Sequence, residues 1–526
     1  MYFLRSPLVV ASGVATLAQG KMFHWPNRQM DWVDTVLYET AFFENITLNC
    51  LPRDNTTVGA QWVRLGFHDM ATHNIDDGTG GLDGSILYEL DRPENIGMNR
   101  TMGDFVGFGT RFFGLADLIA AGVVVGTFEC GGPVIPYRAG RADANGPGNT
   151  GTPEPQHDLK TLVESFRKQG FTQSEMIAVT ACGHALGGVT QQDFPDILKD
   201  RAFQRFNEKT TSFTNDVVTQ YLDGTTPNPL VVGTNTTMNS DLRIFSSDGN
   251  ATIKSLTSPE EYSKTCATLF EKMINTVPSS VTLTEVIAPW DYKVGEARLA
   301  VANGTDKLIM TTTLRLLNAK ENRNREVKLV WVDRDGSCSQ GSCSSIAASS
   351  APINGTKLFT KGYGKTGIQY NFALTDIDPA KSIGKFWFEI DEKDGSQVTT
   401  VKNDDGNGYV ISQDDILFDV TRSTFFTNLA GTNFTADIVV AVKDELAGKA
   451  PINLETAKSF TLPYKYQVVE AKEDSRFPKT AGYTFFSTRT PEELTSAFDI
   501  YYGDVKPENL KVLFGQVFEG RNVVLM

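Results

Sequence analysis

The pattern of apolar and polar positions changes near residue 288, where helical spacing gives way to strict alternation. Before that point, Thr172-Gln173-Ser174-Glu175 has the form of a capping box, and it predicts a helix that starts near Gln173. After Ala288-Pro289-Trp290, alternating residues predict strands at 307–316, 327–332 and 386–390, with turns at Asp335-Gly336 and Asp394-Gly395. A second set of strands, including 437–442 and 465–469, follows the Asp- and Gly-rich stretch 404–408.

This change predicts a multidomain chain. A mainly α domain at residues 21–286 is followed by an all-β region of two immunoglobulin-like sandwiches, at 287–405 and 406–526. The length of 526 residues exceeds one typical domain, and each part is long enough to bury a core of its own. Trp290, Trp331 and Trp387 in the β region suit either an aromatic binding platform or core positions.

The first twenty residues have the pattern of a signal peptide, with Arg5 ahead of a short apolar stretch and small residues up to Gly20. That stretch is too short to cross a bilayer, and no later segment is long enough. The chain also carries a series of Asn-X-Ser/Thr acceptors for glycosylation, at Asn45, Asn55, Asn99, Asn235, Asn250, Asn303, Asn354 and Asn433. We therefore expect a secreted, extracellular glycoprotein.

The net charge and the cysteine content limit the expected binding partners and the cellular compartment. The formal net charge of −14 excludes nucleic acid and anionic membranes as the expected partners. Six cysteines in an oxidising compartment are expected to be paired, and Cys338 and Cys343 are close enough in sequence to close a small loop. The other cysteines allow three alternative pairings, which the sequence leaves open: Cys50, Cys130, Cys182 and Cys266.

Two of the five histidines lie in sequences that suggest chemistry. Arg64 and His68, at positions i and i+4, share a helix face and can reach one ligand together. A neutral imidazole can move a proton between the two oxygens of a peroxide while a cation stabilises the departing one. His184 lies among small residues that allow a flat macrocycle to approach the backbone closely: Gly183, Ala185, Gly187 and Gly188.

Arg64-Leu65-Gly66-Phe67-His68-Asp69 and Ala181-Cys182-Gly183-His184-Ala185-Leu186-Gly187-Gly188 together resemble the distal and proximal haem motifs of the plant, fungal and bacterial haem peroxidases. Between them, Ala116-Asp117-Leu118-Ile119-Ala120, Cys130-Gly131-Gly132-Pro133 and residues 135–143 also follow the family pattern. The resemblance covers residues 40–280 and implies a helical peroxidase domain that binds haem b.

The resemblance implies specific roles. His184 would bind the haem iron, while Arg64 and His68 would cleave peroxide, and Asn95, in Glu94-Asn95-Ile96-Gly97, would orient His68. A carboxylate that accepts the other N–H of His184 is expected in a segment ending in Ser-Asp. Asp248 fits that segment, with Asp241 as the alternative.

Phe67 and Phe206 are expected to line the haem site as well. They occupy positions where the cytochrome c peroxidase branch has tryptophans, and the tryptophan at the Phe206 position serves there as a radical site. The chain therefore mixes features of different branches. The resemblance implies ferryl intermediates whose second oxidising equivalent is stored on the porphyrin.

One calcium ion is expected on the distal side, and the proximal calcium is expected to be absent. The distal ligands would be the side chains of Asp69, Asp83 and Ser85 with the Gly81 carbonyl. At the proximal site, Ala185 and Thr214 stand where relatives have a hydroxyl residue and an aspartate.

The expected reaction is reduction of hydrogen peroxide at the expense of small organic, phenol-like donors. Manganese is not expected as a donor, because Thr57, Gln61 and Thr190 stand where manganese-oxidising relatives have acids. The β region could add binding of polysaccharide or the cell wall. The alternatives are a secreted haem carrier, and a cell-wall adhesion protein without turnover.

Overall fold

The computed structural model describes a set of segments of the chain, namely residues 25–39, 47, 50–106, 108–111, 113–338, 343–353, 358–403, 406–427, 434–457, 462–490, 497–503, 510–511 and 522–525. The predicted signal peptide lies outside the described residues, as do the acceptors Asn45, Asn354 and Asn433. Within the described part, no helix has the length and apolar character needed to cross a membrane.

The amino-terminal part of the chain is helical, as the apolar spacing predicts. Its helices are α1 (Arg28–Tyr38), α2 (Val58–Met70), α3 (Asn99–Gly103), α4 (Leu115–Glu129), α5 (Leu159–Lys168), α6 (Gln173–Gly183), α7 (Asp216–Asp223), α8 (Pro229–Val232), α9 (Ser240–Phe245), α10 (Ala251–Ser255) and α11 (Pro259–Asn275). Short helical turns occur at Ser85–Tyr88, Pro93–Asn95 and Thr236–Met238. Two small hairpins pair β1 (Pro52–Arg53) with β2 (Thr56–Thr57), and β3 (Gly188–Thr190) with β4 (Phe203–Arg205).

Helices α2 and α4 cross closely at the centre of this part because glycines meet there. A Cβ on Gly59 would lie 2.6 Å from the carbonyl oxygen of Gly126, so neither position has room for a side chain. Helix α4 is buried along almost its whole length, and the Asp143 carboxylate accepts hydrogen bonds from its first two backbone amides, of Leu115 and Ala116. The crossing gives α2 a rigid support from one side.

Helix α6 begins at Gln173, as predicted, because Thr172 and Glu175 cap each other's backbone amides. Its last turn is tied to α11 by the Cys182–Cys266 disulfide and by the Tyr262 hydroxyl, which donates to the Ala181 carbonyl at 2.8 Å. A second disulfide joins Cys50 to Cys130, and the predicted Cys338–Cys343 disulfide is present. These bonds choose among the three pairings that the sequence left open.

From Tyr292 onward the described chain is built of β-strands, as the alternation predicts. The strands are β5 (Tyr292–Val301), β6 (Leu308–Leu317), β7 (Glu326–Val332), β8 (Ser344–Ile346), β9 (Ser349–Ile353), β10 (Gly367–Ile377), β11 (Lys385–Asp391), β12 (Thr399–Val401), β13 (Tyr409–Val410), β14 (Ile416–Phe418), β15 (Thr424–Thr427), β16 (Phe434–Lys443), β17 (Ile452–Ala457), β18 (Tyr466–Glu473), β19 (Tyr483–Arg489), β20 (Ala497–Tyr502), β21 (Leu510–Lys511) and β22 (Asn522–Leu525). One helical turn, Leu358–Gly362, interrupts them.

Two sheets enclose the first β core. One has the order β5-β6-β10-β9, and the other has the order β12-β11-β7-β8 with β13 beside β11. The third sheet runs β21-β20-β17-β18-β19-β16-β15-β22, with β14 beside β16, and it folds over a second core. Within it, β15 and β22 pair in parallel.

Strand β16 belongs to both β cores. Ile438, Val440 and Val442 face the second core, whereas Val439 and Ala441 pack into the first. Burial on both faces explains why residues 438–442 form an unbroken apolar run rather than an alternating one. The two β units are therefore packed against each other and share strand β16.

The three tryptophans do not form one platform. Trp331 is 8% exposed and faces the first β core, whereas Trp387, on the neighbouring strand, pairs with Val330 and points to the opposite face of the same sheet. Because successive side chains alternate between faces, Trp331 and Trp387 cannot meet one ligand. Trp331 therefore takes the core position that was the alternative prediction.

Helix α1 is held against the first β unit by buried charges. The Arg315 guanidinium on β6 forms two hydrogen bonds with the Asp34 carboxylate, at 2.7 and 2.9 Å, and one with Glu39 at 2.8 Å. The Lys293 ammonium on β5 lies 2.9 Å from Asp34 and 3.2 Å from Asp31. The two cations hold the pKa of Asp34 below its usual value despite complete burial, which raises it. The helical and β parts therefore share a charge network that neither could complete alone.

We predict that Arg315→Met destabilises the whole chain. The substitution leaves the buried Asp34 with Lys293 as its remaining cation, and we expect the free energy of unfolding to fall by about 3 kcal/mol. Urea unfolding followed by circular dichroism and tryptophan fluorescence measures this loss. The matched control is Arg323→Met, since Arg323 pairs with Glu321 where both side chains are more than four-fifths exposed. Equal losses for the two variants would contradict the importance of the buried network.

Candidate active site

One face of α2 is less buried than the rest of the helix. Arg64, Phe67 and His68 are half-buried, whereas Val63, Leu65 and Gly66 are packed into the core. The three half-buried residues are spaced three and four apart, so their side chains lie on the same side of the helix. The crossing with α4 supports the opposite side.

The His68 imidazole has a fixed partner. Its Nδ1 lies 2.9 Å from the Asn95 side-chain oxygen, in the short helical turn Pro93–Asn95. The Asn95 amide nitrogen in turn donates to the Glu89 carbonyl at 2.9 Å, which determines which end of the amide faces His68. Nδ1 must therefore donate, and the His68 Nε2 is left without a proton. The contact predicted between Asn95 and His68 is present.

Burial and the neighbouring Arg64 guanidinium lower the pKa of His68 to about 3. The Asn95 hydrogen bond opposes this shift only in part. The imidazole is consequently neutral at the pH values at which proteins usually work. A neutral imidazole with a free Nε2 can accept a proton.

The Arg64 guanidinium is held by backbone carbonyls of the segment that carries Asn95. It donates to the Ile96 carbonyl at 3.1 Å and to the Glu94 carbonyl at 2.9 Å. Its other side faces the Phe194 ring, 5.2 Å from the ring centroid. Burial lowers the pKa of Arg64 to about 10, so the group stays charged near neutral pH.

His184 directly follows the last residue of α6 and also has a buried partner. Its Nδ1 lies 2.6 Å from the Asp241 carboxylate, which is 1% exposed. The same carboxylate oxygen accepts a hydrogen bond from the Asn228 amide at 2.7 Å. The Phe206 ring stacks on the imidazole, with centroids 4.1 Å apart and an interplanar angle of 17°. These contacts fix the ring and leave the His184 Nε2 as the free nitrogen.

The prediction that Asp248 contacts His184 is wrong. Ser-Asp occurs twice, at 240–241 and 247–248, and it is the first pair, at the start of α9, that faces His184. Asp248 lies beyond the end of α9, where its carboxylate accepts hydrogen bonds from the backbone amide and the hydroxyl of Thr252, at 2.9 and 2.6 Å. Asp248 thus caps α10, and the alternative given by the sequence, Asp241, has the contact.

The donor set fits an axial haem ligand. The His184 side chain is 26% exposed, so its free nitrogen is accessible. A Cβ on the adjacent Gly183 would meet no atom within 4 Å, so the last residue of α6 borders open space. An imidazole whose Nδ1–H is given to a buried carboxylate is the donor that haem iron takes in peroxidases. Phe67 makes an edge contact with His68, and Phe206 covers His184.

The predicted calcium ligands lie close together in the loop after His68. Asp69 is fully buried and its carboxylate accepts from the Gly84 and Ile86 amides, at 2.7 and 2.9 Å. Burial raises the pKa of Asp69, and the Asp83 carboxylate raises it further. The Ser85 hydroxyl oxygen is buried close to the Asp83 and Glu89 carboxylates. This loop therefore offers hard oxygen donors and no basic side chain in direct contact with Asp69 or Asp83.

Two observations limit that fit. Among the described residues, no three His, Cys, Asp or Glu side chains are arranged to hold a metal ion, so a calcium would depend on carbonyl and hydroxyl oxygens beside two carboxylates. The Thr72 hydroxyl already donates to the Asp69 carbonyl at 2.9 Å and accepts from the Gly81 amide at 3.1 Å, so it links the two sides of the loop without a cation.

On the proximal side, Ala185 is buried, and the Thr214 hydroxyl accepts from the Asp216 amide at 3.4 Å.

Sequence reasoning missed three residues that support the two histidines and Arg64. Asn228 donates to Asp241, the Glu89 carbonyl orients Asn95, and Phe194 faces Arg64. The one sequence signal available was Asn228 before Pro229, a helix-starting pair that fixes Asn228 at the start of α8. The contact between Glu89 and Asn95 is local but lies in irregular chain, and the contact between Phe194 and Arg64 joins segments far apart in the sequence, so no simple pattern predicts either.

We predict that Asp241→Asn weakens the hydrogen bond from the His184 Nδ1, whereas Asp248→Asn leaves it unchanged. In the first variant the amide oxygen takes the place of the carboxylate oxygen that accepts from both Asn228 and Nδ1, and because it is uncharged it binds the Nδ1 proton less strongly. Nitrogen-15 chemical shifts of histidine-labelled protein at pH 8 report the change, and His184→Gln assigns the resonance. Equal spectra for both Asp variants would contradict the pairing with Asp241.

Comparison with known proteins agrees with this site. Residues 44–258 match the family model described as peroxidase. A WSC domain-containing protein of Arthroderma benhamiae is 40% identical over 54% of this chain and 41% of its own length. A putative L-ascorbate peroxidase 6 of Arabidopsis thaliana is 35% identical over 24% of this chain and 40% of its own.

The mitochondrial cytochrome c peroxidase of Candida albicans is 31% identical over 28% of this chain and 42% of its own. The chain thus spans about two-fifths of the length of these three relatives. The family match covers both His68 and His184. Residues 44–258, within the helical region, thus match the peroxidase family.

Proposed function

We propose that the protein is a haem-dependent peroxidase that reduces hydrogen peroxide while oxidising small organic, phenol-like donors. The observation that carries this proposal is the hydrogen-bonding arrangement that the two imidazoles share. Each gives its Nδ1 proton to a buried oxygen and keeps a free Nε2, one as an iron ligand and the other as a base. Haem b, when bound, would supply the redox centre that gives two electrons to hydrogen peroxide and recovers them from the organic donors.

On the proximal side, His184 is suited to be the axial ligand. The buried Asp241 carboxylate draws the Nδ1 proton towards itself, and this makes the Nε2 lone pair more basic. Phe206 stacks on the imidazole and, together with the hydrogen bond, limits its rotation. Asn207 holds the backbone here, since its amide donates to the Ala185 carbonyl at 2.8 Å.

On the distal side, His68 moves the proton and Arg64 stabilises charge. Nε2 of His68 takes the proton from the near oxygen of hydrogen peroxide and delivers it to the far oxygen, which leaves as water. The low pKa of about 3 keeps His68 in the neutral form that this transfer requires. Arg64 remains protonated throughout and stabilises the negative charge that develops on the departing oxygen. Two donor molecules each then return one electron and the remaining protons needed to form the second water.

We propose further that the protein is secreted and glycosylated. Three disulfides among the described residues favour an oxidising compartment. None of the described acceptors, Asn55, Asn99, Asn235, Asn250 and Asn303, is buried. The relative from Arthroderma benhamiae carries the name of a WSC domain. Contact of the β region with polysaccharide or the cell wall is part of this proposal, and Trp387 is its half-exposed aromatic candidate.

We expect the purified protein to bind haem with a Soret band that shifts on addition of one equivalent of hydrogen peroxide. His184→Ala should lose both the band and turnover, because the axial nitrogen is removed. His68→Leu should keep haem and react with peroxide about 10²- to 10⁴-fold more slowly, as expected for loss of a general acid-base group. Stopped-flow absorbance and a steady-state assay with a phenolic donor measure these effects.

His157→Ala is the matched control, because His157 lies in the same domain and its Nδ1 accepts a hydrogen bond from the Glu154 backbone amide. It should behave like the unaltered protein. A Soret band that does not shift with peroxide would point to a haem carrier instead. The absence of a band even after haem is supplied would favour a cell-wall adhesion protein.

We also propose one distal calcium ion, held by Asp69, Asp83, Ser85 and the Gly81 carbonyl, and an empty proximal position at Ala185 and Thr214. A chelator should then lower the unfolding midpoint of the protein by about 5 °C or more, and calcium should restore it. Asp83→Asn should lower the midpoint and abolish the chelator effect, whereas the exposed Asp76→Asn should retain it. An unchanged midpoint would mean that the Thr72 hydroxyl, and not a cation, links the two sides of this loop.

A further inference from the structure

One hairpin connects the two sides of the candidate site. Strands β3 and β4 pair antiparallel just after His184, and the loop between them covers residues 191–202. Phe206, one residue after β4, stacks on the His184 imidazole. Phe194, inside the loop, lies against the Arg64 guanidinium on the other side. The same short stretch of chain therefore contacts both the proximal and the distal groups.

This hairpin has a small apolar core of its own. Val189, Leu198, Phe206 and Leu230 are each at most 9% exposed, and Phe194 and Ile197 pack against them. The cluster is separate from the main core of the helical domain. Backbone bonds shape the loop into a turn, because the Phe194 amide donates to the Thr190 carbonyl and the Leu198 amide donates to the Phe194 carbonyl, at 3.0 and 3.2 Å. Phe194 thus packs against the cluster that contains Phe206, and main-chain bonds hold its own backbone within the loop.

Asp193, beside Phe194, strengthens the contact with the distal side. Its carboxylate accepts a hydrogen bond from the Thr190 hydroxyl at 2.7 Å and packs against Gly97, where a Cβ would lie 2.9 Å from the carboxylate oxygen. The negative charge of Asp193 attracts Arg64 and opposes the effect of burial on that guanidinium. The loop therefore reaches Arg64 with both an aromatic face and a nearby anion.

Arg64 is restrained from two sides. The Glu94 and Ile96 carbonyls bind two of its N–H groups, and the Phe194 ring lies on its face. A ring face attracts a cation through its quadrupole, and it does so most strongly where water is excluded. A charge that stabilises a transition state is most effective when it is already in place, so a freely moving guanidinium would be less effective.

We propose that Phe194 is a positioning residue for Arg64, and that the loop 191–202 holds the guanidinium in place by bracing Phe194 against Phe206 on the proximal side. This inference rests on the proposed function, since it concerns how that same site is kept ready for peroxide. Phe194 touches neither the peroxide nor the reacting atoms in this scheme. It acts through Arg64.

The test compares Phe194→Leu with Phe194→Tyr. Leucine keeps an apolar side chain in the small cluster but removes the ring, whereas tyrosine keeps the ring. The first measurement is the binding of fluoride to the ferric haem-loaded protein, followed by absorbance, because a guanidinium beside the iron stabilises a bound anion by a charge-assisted hydrogen bond. The second is the rate at which phenylglyoxal modifies Arg64 in the protein without added haem, measured by mass spectrometry against the exposed Arg167.

We expect Phe194→Leu to bind fluoride about 3- to 30-fold more weakly and to react with peroxide more slowly by a similar factor, the range that loss of one cation–π contact gives. Arg64 in that variant should be modified faster than in the unaltered protein. Phe194→Tyr should restore both readouts to within about twofold, and the thermal unfolding midpoints of both variants should stay close to that of the unaltered protein.

Two results would overturn the inference. If Phe194→Leu matches the unaltered protein in both measurements, the ring does not restrain Arg64. If both variants lose fluoride binding and unfold at lower temperature together, Phe194 serves only the packing of the loop. Failure of the proposed function looks different, because the unaltered protein would then bind no haem, while the phenylglyoxal rates would still decide whether Phe194 holds Arg64.

Discussion

The candidate site depends on one kind of interaction, the hydrogen bond from an imidazole Nδ1 to a buried oxygen that is itself held in place. His184 donates to Asp241, which also binds Asn228, and His68 donates to Asn95, which is oriented by the Glu89 carbonyl. Each bond leaves Nε2 free. The two imidazoles nevertheless lie in different surroundings. A buried carboxylate accepts the Nδ1 proton of His184, whereas burial beside a guanidinium lowers the pKa of His68 and keeps that imidazole neutral.

The rest of the helical domain can be understood as support for those two bonds. The close crossing of α2 and α4 at Gly59 and Gly126 fixes the helix that carries Arg64 and His68. The Cys182–Cys266 disulfide fixes the end of α6, from which His184 follows. The segments that supply the acceptors are short and irregular, and they are placed by these larger elements. Precise geometry at the site therefore comes from rigid helices that hold less regular chain between them.

The β region is a structural partner of the helical domain, because α1 lies between the two. Lys293 and Arg315 project from the first β unit towards the acidic side of α1. Because these groups are buried, removing one charge would leave its partner without compensation. The second β unit is joined to the first through β16, whose two faces belong to two cores. A substitution in the β region can therefore alter the stability of the domain that carries the site, without any contact with the histidines.

The sequence by itself determined the change from helices to strands, the start of α6 and the residue types of the site, because these follow from apolar period, capping chemistry and spacing within one element. Arg64 and His68 share a face whatever surrounds the helix. Tertiary structure alone decided the disulfide pairs, the choice of Asp241 over Asp248, the separation of Trp331 from Trp387 and the position of Phe194 against Arg64. Each of these joins residues distant in sequence, or depends on where an element ends, and local patterns carry no information about either.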